Sequence, residues 1–204
     1  MNGDDRFDVL VVCTGNVCRS PVAEQVLRAR FGERFARFSS AGTFALVGQQ
    51  MPEQAQELAR RLGAEPGPLH APRLLDAGVI EQADLVIALT REHRGEIVRL
   101  LPRANRYTVT LREAARLLES LAAAPAGELD LAPLRSVPVP EALRALVPMM
   151  MAERGLATPP AAAEDDDVVD PFRQAQEVYD RSGEQIIDAI DRIQAALRRL
   201  ADRA

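Results

Sequence analysis

The strongest constraint on the fold is a short apolar run that leads through a tight loop into a helix start. The run consists of Phe7 and residues 9–12, and its β-branched character is typical of a strand buried on both faces of a parallel sheet. The helix start is Ser20-Pro21, where we expect Ser20 to cap the helix and Pro21 to occupy its first position. A strand, a loop and a helix in this order predict the first unit of an α/β fold.

The loop at residues 13–19 carries residue types that bind an anion and supply a nucleophile. Gly15 and Asn16 tolerate a positive φ, so the loop can curl its backbone N–H groups toward one point, which the following helix dipole reinforces. Cys13 lies at the mouth of this nest and is expected to be held as a thiolate. The planar guanidinium of Arg19 is expected to bind an anion through two parallel hydrogen bonds. The alternative is a buried structural cysteine and a surface arginine on an ordinary strand, turn and helix.

Strand-like and helix-like patterns alternate from residue 7 to residue 110, which predicts right-handed crossovers and a parallel sheet. Further strands are expected at 35–40, 85–89 and 107–110, and helices from Val22 to near Gly32 and at 52–62, 74–83, 91–101 and 178–200. Because Cys13 directly follows the first strand, it should lie at the carboxyl edge of the sheet, where such folds bind ligands.

The whole chain is interpreted as one domain over residues 1–204. Residues 111–165 are interpreted as a helical and loop insertion within it, because helix-like stretches there alternate with an Ala/Pro/Gly-rich stretch and a methionine run. We expect this insertion to be a variable surface segment rather than a lid over the site.

Composition excludes several classes of function. The chain has 204 residues, 47% of them hydrophobic, which suffices for a real core. A net charge of −5 argues against nucleic-acid binding, and no apolar run is long enough to span a membrane. The first eight residues lack a secretory signal, and both cysteines of the chain lie in the loop, so we expect a cytoplasmic protein without a disulfide framework. No residue spacing is typical of a metal site.

Five segments resemble the low-molecular-weight protein tyrosine phosphatase family, in the family's order along the chain. They are 11–24 (VVCTGNVCRSPVAE), 39–43 (SSAGT), 70–74 (HAPRL), 83–89 (ADLVIAL) and 170–172 (DPF). The resemblance implies a flavodoxin-like, doubly wound sheet of four parallel strands with helices on both faces. It also implies phosphate monoester hydrolysis without a cofactor, on a phosphoprotein or a small aryl-phosphate substrate, with phosphate or sulfate binding in the loop.

The resemblance also assigns roles to the loop and to the late Asp-Pro-Phe segment. Cys13 is the expected nucleophile and forms a cysteinyl-phosphate, while the Arg19 guanidinium helps to hold the three non-bridging oxygens. Ser20 is expected to donate its hydroxyl to the Cys13 sulfur. Asp170 is the expected general acid and later base, which predicts a bell-shaped rate profile with an acidic optimum. The acidic run 165–167 is expected to form a solvated loop. The further loop residues expected to bind the oxygens are Thr14, Gly15, Asn16, Val17 and Cys18.

Residues outside the loop are expected to support it or to flank the substrate. Ser40 and His70 match family positions that, together with Asn16, brace the loop by side-chain hydrogen bonds. Phe44 and Phe172 match the aromatic walls of the family's catalytic cleft. The alternative for these two phenylalanines is that both are ordinary core residues.

Cys18 and His93 are not expected to take part in the hydrolysis itself. The resemblance implies that Cys18 forms a reversible disulfide with Cys13, which protects the nucleophile from over-oxidation; the alternative is a small buried packing residue. His93 lies in the charged run Arg-Glu-His-Arg and is expected at the surface of a helix.

More than one substrate class fits the residues. Phosphotyrosine-like substrates are favoured because a planar aryl phosphate would stack between Phe44 and Phe172. Thr14 and Phe172 also resemble the arginine phosphatases of the family, but Val17 lacks the hydroxyl that their threonine supplies. An arsenate reductase is disfavoured, since its resolving cysteines would have to follow Cys18 and none does. A non-catalytic phosphoprotein-binding module is a further alternative, which a turnover assay distinguishes.

Overall fold

The computed structural model describes residues 5–64, 69–125, 128–135 and 137–203, which form a parallel sheet with helices on both faces. The strands are β1 (Phe7–Cys13), β2 (Ala36–Gly42), β3 (Leu85–Ala88) and β4 (Thr108–Thr110). The helices are α1 (Arg19–Phe31), α2 (Glu53–Arg61), α3 (Ala77–Glu81), α4 (Arg91–Leu100), α5 (Leu111–Ala123), α6 (Val139–Ala152) and α7 (Gln176–Arg203). Short 3-10 turns occupy Pro102–Arg106, Ala132–Leu134, Glu153–Gly155 and Ala163–Asp166.

The sheet has the strand order β2-β1-β3-β4, and each neighbouring pair is parallel. Because β1 is central, both of its faces are covered. Val9 and Val11 belong to a core shared with α1, α5 and α7, while Leu10 and Val12 belong to a core shared with α3 and α4. The predicted doubly wound α/β fold is confirmed. Winding changes side between β1 and β3, so the loop after β1 lies at the switch point of the sheet.

Several predicted helices are found with shifted ends. α1 begins at Arg19, with Cys18 as its N-cap residue and no capping hydrogen bond from a side chain. The expectation that Ser20 caps this helix and that Pro21 takes its first position is wrong, because both residues already lie in its first turn, where proline is tolerated. The helix expected over 74–83 is shorter and corresponds to α3.

The segment 111–165 contributes two helices to the main core. α5 begins with a capping box, in which Thr110 Oγ1 accepts a hydrogen bond from the Glu113 N–H at 3.1 Å and the Glu113 carboxylate accepts one from the Thr110 N–H at 3.2 Å. α6 buries Met150 in the same core as the side chains of α1 and α7. These helices therefore pack into the core on one face of the sheet, and the expectation of a variable surface segment is wrong for them. We propose that residues 1–204 form a single domain built around this shared core.

α7, 28 residues long, covers one face of the sheet with an apolar stripe. Ile186, Ile190 and Ile193 recur along that stripe and are buried. The core-packing helix predicted near the C-terminus is therefore present, with its bounds extended to Gln176–Arg203. Within the described ranges, no helix combines the length and the apolar character needed to cross a membrane.

Gly42 ends β2 beside Cys13, and the absence of a side chain at Gly42 lets the loop after β1 approach closely. An added Cβ would lie 2.4 Å from the backbone oxygen of Thr14, which cannot rotate away. We expect Gly42→Ala to lower the free energy of unfolding by about 1–3 kcal/mol, as overpacking does, and to weaken phosphate binding by displacing the loop. Chemical denaturation and phosphate titration measure the two effects.

Gly95→Ala is the matched control, because Gly95 is exposed in α4 and open space surrounds its Cβ position. This variant should raise the free energy of unfolding by up to about 1 kcal/mol, since alanine favours the helix, and should leave phosphate binding unchanged. Equal phosphate affinities in the two variants would refute the role of Gly42 in shaping the loop.

Candidate active site

Cys13 is the last residue of β1, and its sulfur lies against the first turn of α1. Its Sγ is 3.0 Å from Ser20 Oγ. The residue is only 2% exposed, yet it lines a pocket at the carboxyl edge of the sheet. The hydroxyl of Ser20 thus contacts the candidate nucleophile, as the resemblance implies, and does not cap the helix.

A buried asparagine side chain holds the loop in shape. Asn16 has φ 53°, in the left-handed region, and of the two residues expected to tolerate such a φ it alone adopts one. Its Nδ2 donates to Ser20 Oγ at 3.0 Å and to Ser40 Oγ at 2.8 Å, and its Oδ1 accepts from the Arg73 N–H at 3.0 Å. Each polar atom of the amide is therefore satisfied inside the protein. These hydrogen bonds hold the loop after β1 against both α1 and β2.

The residues predicted to brace the loop do contact it. His70 Nε2 donates to the Asn16 carbonyl at 2.7 Å, and Ser40 links Asn16 to Glu24, whose Oε2 accepts from Ser40 Oγ at 2.6 Å. Arg73 was missed as a supporting residue, although it lies in the same short segment as His70. Its Nε donates to the Ser40 carbonyl at 2.8 Å.

The Arg19 guanidinium connects the loop to the late Asp-Pro-Phe segment. It is 5% exposed and donates from Nη2 to Asp170 Oδ2 at 2.7 Å. Nη1 donates to the Val168 carbonyl at 3.3 Å, and Nη2 also approaches Thr14 Oγ1 at 3.4 Å. Asp170, with a half-exposed side chain, lines the same pocket as Cys13. Residues 151 positions apart in the chain therefore meet where the sequence predicted a nucleophile, a cation and an acid.

The acidic run before Asp170 attaches this segment to the rest of the fold. Asp167 accepts from the Arg91 N–H at 2.7 Å and pairs with its guanidinium at 2.9 Å. Asp166 pairs with Arg116 at 3.0 Å. The expectation of a solvated loop is therefore wrong for two of the three aspartates, because arginines of α4 and α5 are brought to them by the fold.

The pocket has a volume of about 140 Å³ and is lined by Cys13, Thr14, Gly15, Val17, Cys18, Arg19, Phe44, Leu46, Asp170 and Phe172. Phe44 is 75% exposed, so it is not a core residue, and it stands at the pocket as predicted. Phe172 is half-buried, and the Arg173 guanidinium lies 5.0 Å from its ring centroid. Leu46 was missed, since a single leucine in a loop carries no recognisable pattern.

His93 is the main correction to the sequence analysis. It is buried, 4% exposed, and its Nε2 lies 2.9 Å from Thr14 Oγ1, while its Nδ1 lies 2.9 Å from Thr90 Oγ1. Burial, and next the charge of Arg19, lower the pKa of His93 to about 4. The charged neighbours in the sequence were misleading, whereas the N-cap Thr90 three residues earlier was the usable signal. Thr90 is the N-cap residue of α4, and its Oγ1 contacts both the backbone N–H and the ring Nδ1 of His93.

Cys18 differs from Cys13 in its surroundings, although both cysteines are free and buried. Its sulfur lies 3.9 Å from the Tyr179 hydroxyl of α7. Burial raises the pKa of the Cys18 thiol to about 12, so this sulfur is a neutral thiol at physiological pH. The packing role weighed in the sequence analysis therefore has a physical basis in the fold. Within the described residues, no group of histidine, cysteine or carboxylate side chains is arranged to hold a metal ion.

The family model described as low molecular weight phosphotyrosine protein phosphatase matches residues 8–121. The chain belongs to this family, a family of hydrolases. A low molecular weight protein-tyrosine-phosphatase, Ptp of Acinetobacter johnsonii, is 34% identical over 104 residues, which are 51% of this chain and 71% of the relative.

Solved structures match the fold over nearly the whole length of the chain. The YwlE arginine phosphatase from Geobacillus stearothermophilus superposes with a TM-score of 0.63 at 25% identity, covering 94% of this chain and 93% of its own. The tyrosine phosphatase Wzb from Escherichia coli K30 in complex with sulphate has a TM-score of 0.60 at 21% identity, covering 94% of this chain and 96% of its own. The second likeness supports the fold alone.

The unusual environment of Cys18 predicts how that thiol titrates. In a Cys13→Ser variant, Cys18 is the remaining cysteine of the chain. Because its pKa is about 12, its alkylation rate should keep rising with pH well above pH 9.0, the ordinary thiol value. Iodoacetamide labelling followed by mass spectrometry measures that rate. The same variant unfolded in urea is the control and should plateau near the ordinary value; a plateau there in the folded protein would contradict the prediction.

Proposed function

We propose that this chain hydrolyses protein phosphotyrosine and related aryl phosphate monoesters through a cysteinyl-phosphate on Cys13. The observation that carries the proposal is the convergence of three groups on one small pocket: the Cys13 sulfur, the Arg19 guanidinium and the Asp170 carboxylate. Membership of the phosphatase family supports the same reaction class. A structural neighbour, the tyrosine phosphatase Wzb, has been solved in complex with sulphate, and this supports oxyanion binding by this chain as well.

In the proposed first step, the Cys13 thiolate attacks phosphorus, an S–P bond forms and the P–O bond to the leaving group breaks. The backbone N–H groups of 14–19 and the Arg19 guanidinium stabilise the charge on the non-bridging oxygens. Asp170 gives its proton to the leaving oxygen, which departs as an alcohol.

In the proposed second step, Asp170 accepts a proton from water, the water oxygen attacks phosphorus and the P–S bond breaks. The departing sulfur regains its negative charge, which a hydrogen-bond donor stabilises. Ser20 Oγ accepts from Asn16 Nδ2 at 3.0 Å, so its own hydrogen is free to be donated to the Cys13 sulfur at 3.0 Å. The asparagine thereby orients the hydroxyl, and the cycle ends with inorganic phosphate and the thiolate.

The walls of the pocket favour an aryl leaving group. Phe44 and Phe172 flank the opening, and Leu46 adds apolar surface beside them. A planar phenyl ring would stack on these side chains. Val17 lines the pocket without the hydroxyl that the sequence analysis associates with phosphoarginine. The arginine phosphatases among the relatives make protein phosphoarginine the alternative substrate.

Replacement of the nucleophile tests whether the protein is an enzyme. Cys13→Ser should lower kcat on an aryl phosphate by more than about 1000-fold, because the hydroxyl is a far weaker nucleophile at neutral pH. Phosphate should still bind, since the loop N–H groups and Arg19 remain. Turnover assays and phosphate calorimetry measure the two effects. Undiminished turnover in the variant would contradict the assignment of Cys13 as the nucleophile. A wild-type protein that binds phosphate without turnover would instead favour a non-catalytic module.

Replacement of the acid tests the role of Asp170. Asp170→Asn should lower kcat about 10²- to 10⁴-fold for substrates with poor leaving groups and much less for activated ones. The alkaline limb of the rate profile, which reports loss of the proton from Asp170, should also disappear. Glu164→Gln is the matched control, because it removes one exposed negative charge from the same segment and should leave the profile unchanged. Equal profiles for both variants would rule out Asp170 as the acid.

Substrate choice is tested with matched phosphotyrosyl and phosphoarginyl peptides. The wild-type kcat/KM should be higher for the phosphotyrosyl peptide, because the pocket offers apolar walls rather than a hydroxyl for a guanidinium. Val17→Thr is isosteric and restores the missing hydroxyl, so it should shift the ratio toward phosphoarginine. A wild-type preference for phosphoarginine would overturn the proposed substrate while leaving the phosphatase chemistry intact.

A further inference from the structure

His93 is a buried titratable residue that the proposed reaction does not use. It lies in the first turn of α4, after β3, yet its ring reaches the loop that follows β1. Nε2 is 2.9 Å from Thr14 Oγ1, and Nδ1 is 2.9 Å from Thr90 Oγ1. The ring therefore bridges the start of α4 and the oxyanion-binding loop.

We propose that His93 is a positioning residue for the oxyanion pocket: it fixes the Thr14 hydroxyl, which in turn holds the Arg19 guanidinium. This inference rests on the proposed function, because it assigns a role within the same pocket. Arg19 Nη2 lies 3.4 Å from Thr14 Oγ1, on the guanidinium that also pairs with Asp170. The contact is long, so its contribution is orientation of the guanidinium rather than strong binding.

Hydrogen-bond counting explains why the imidazole orients Thr14. A threonine hydroxyl has one hydrogen and two acceptor sites, and the guanidinium of Arg19 is a donor only. Thr14 Oγ1 must therefore present an acceptor site to Arg19, whichever tautomer His93 adopts. The contact with His93 Nε2 occupies a second hydrogen-bonding site of the Thr14 hydroxyl and prevents that hydroxyl from rotating away. Thr90 Oγ1 holds the other side of the ring and also accepts from the His93 N–H at 3.2 Å.

The charge state of His93 suits this role. Burial lowers its pKa to about 4, and the positive charge of Arg19 acts in the same direction. The ring is therefore neutral at physiological pH. A protonated ring would set a second cation close to Arg19 and repel the guanidinium that it helps to place. A neutral hydrogen-bonding ring avoids that repulsion.

The competing explanation is that His93 has a purely structural role. Two conservative variants distinguish that role from the proposed positioning role. Glutamine can place a polar atom near the Nε2 position, so His93→Gln can keep the contact with Thr14. Asparagine is shorter and reaches only the Nδ1 position, so His93→Asn can keep the contact with Thr90. Both variants lose packing of the ring and both should be less stable. They differ in the contact with Thr14, which the proposal requires and which only His93→Gln can keep.

The experiment measures inhibition by vanadate and calorimetric binding of inorganic phosphate to the full chain. His93→Asn should weaken both about fivefold to tenfold, as expected for loss of one orienting hydrogen bond, whereas His93→Gln should stay within about twofold of the wild type. Thr14→Val should reproduce the loss, and the double variant with His93→Asn should lose no more. Glu92→Gln, exposed on the same turn of α4, is the control and should change nothing.

Equal oxyanion affinities for His93→Asn and His93→Gln, or additive losses in the double variant, would overturn the proposal. Affinity that follows the free energy of unfolding across the variants, rather than the Thr14 contact, would assign His93 a structural role instead. Phosphate calorimetry needs no turnover, so it tests this inference even if the wild-type protein hydrolyses nothing. A wild type that binds phosphate without turnover contradicts the proposed function alone, whereas a wild type that does not bind phosphate contradicts both.

Discussion

The hydrogen bonds of the buried Asn16 amide hold the loop after β1 in the conformation on which the whole site depends. That side chain joins Ser20 of α1, Ser40 of β2 and the backbone of Arg73, so three separate segments close around the loop. The amide lies where a left-handed backbone is needed, and few residue types other than glycine adopt that backbone easily. Asn16 therefore supplies both the backbone shape and the polar contacts. With the loop fixed, Cys13 and the N–H groups that follow it can face one point.

The start of α4 is a second junction, and it ties the loop to the acid. Arg91 binds Asp167 and thereby anchors the segment that leads to Asp170, while His93, two residues later, reaches Thr14. Arg19 closes the arrangement, because its guanidinium contacts both Thr14 and Asp170. The three groups of the proposed reaction are consequently held by one continuous set of contacts. A small shift of α4 would alter the nucleophile loop and the acid together.

The two helices of 111–165 show how a segment with weak sequence patterns can belong to the core. α5 and α6 pack on the face of the sheet that also receives α1 and α7. The Thr110–Glu113 capping box starts α5, and the Glu113 carboxylate binds Arg154 just after α6 at 2.7 Å. Burial acts to raise the pKa of Glu113, but the contacts with Arg154 outweigh it and leave that pKa below its ordinary value. The ion pair also links α5 to the turn that follows α6. The site at the carboxyl edge thus rests on a core larger than the strands and crossover helices alone would provide.

The sequence by itself determined the elements whose physics is local. An apolar β-branched run specified β1, and the spacing from Cys13 to Arg19, followed by Asp-Pro-Phe late in the chain, marked the nucleophile, the cation and the acid. Tertiary structure decided what depends on distant partners. Ser20 does not cap α1, because the helix already begins at Arg19, and its hydroxyl lies beside the Cys13 sulfur as the family resemblance implied. His93 is buried despite its charged neighbours because the start of α4 meets the loop. Burial and hydrogen bonding between segments far apart in the chain leave no periodic signal, so only the folded arrangement reveals them.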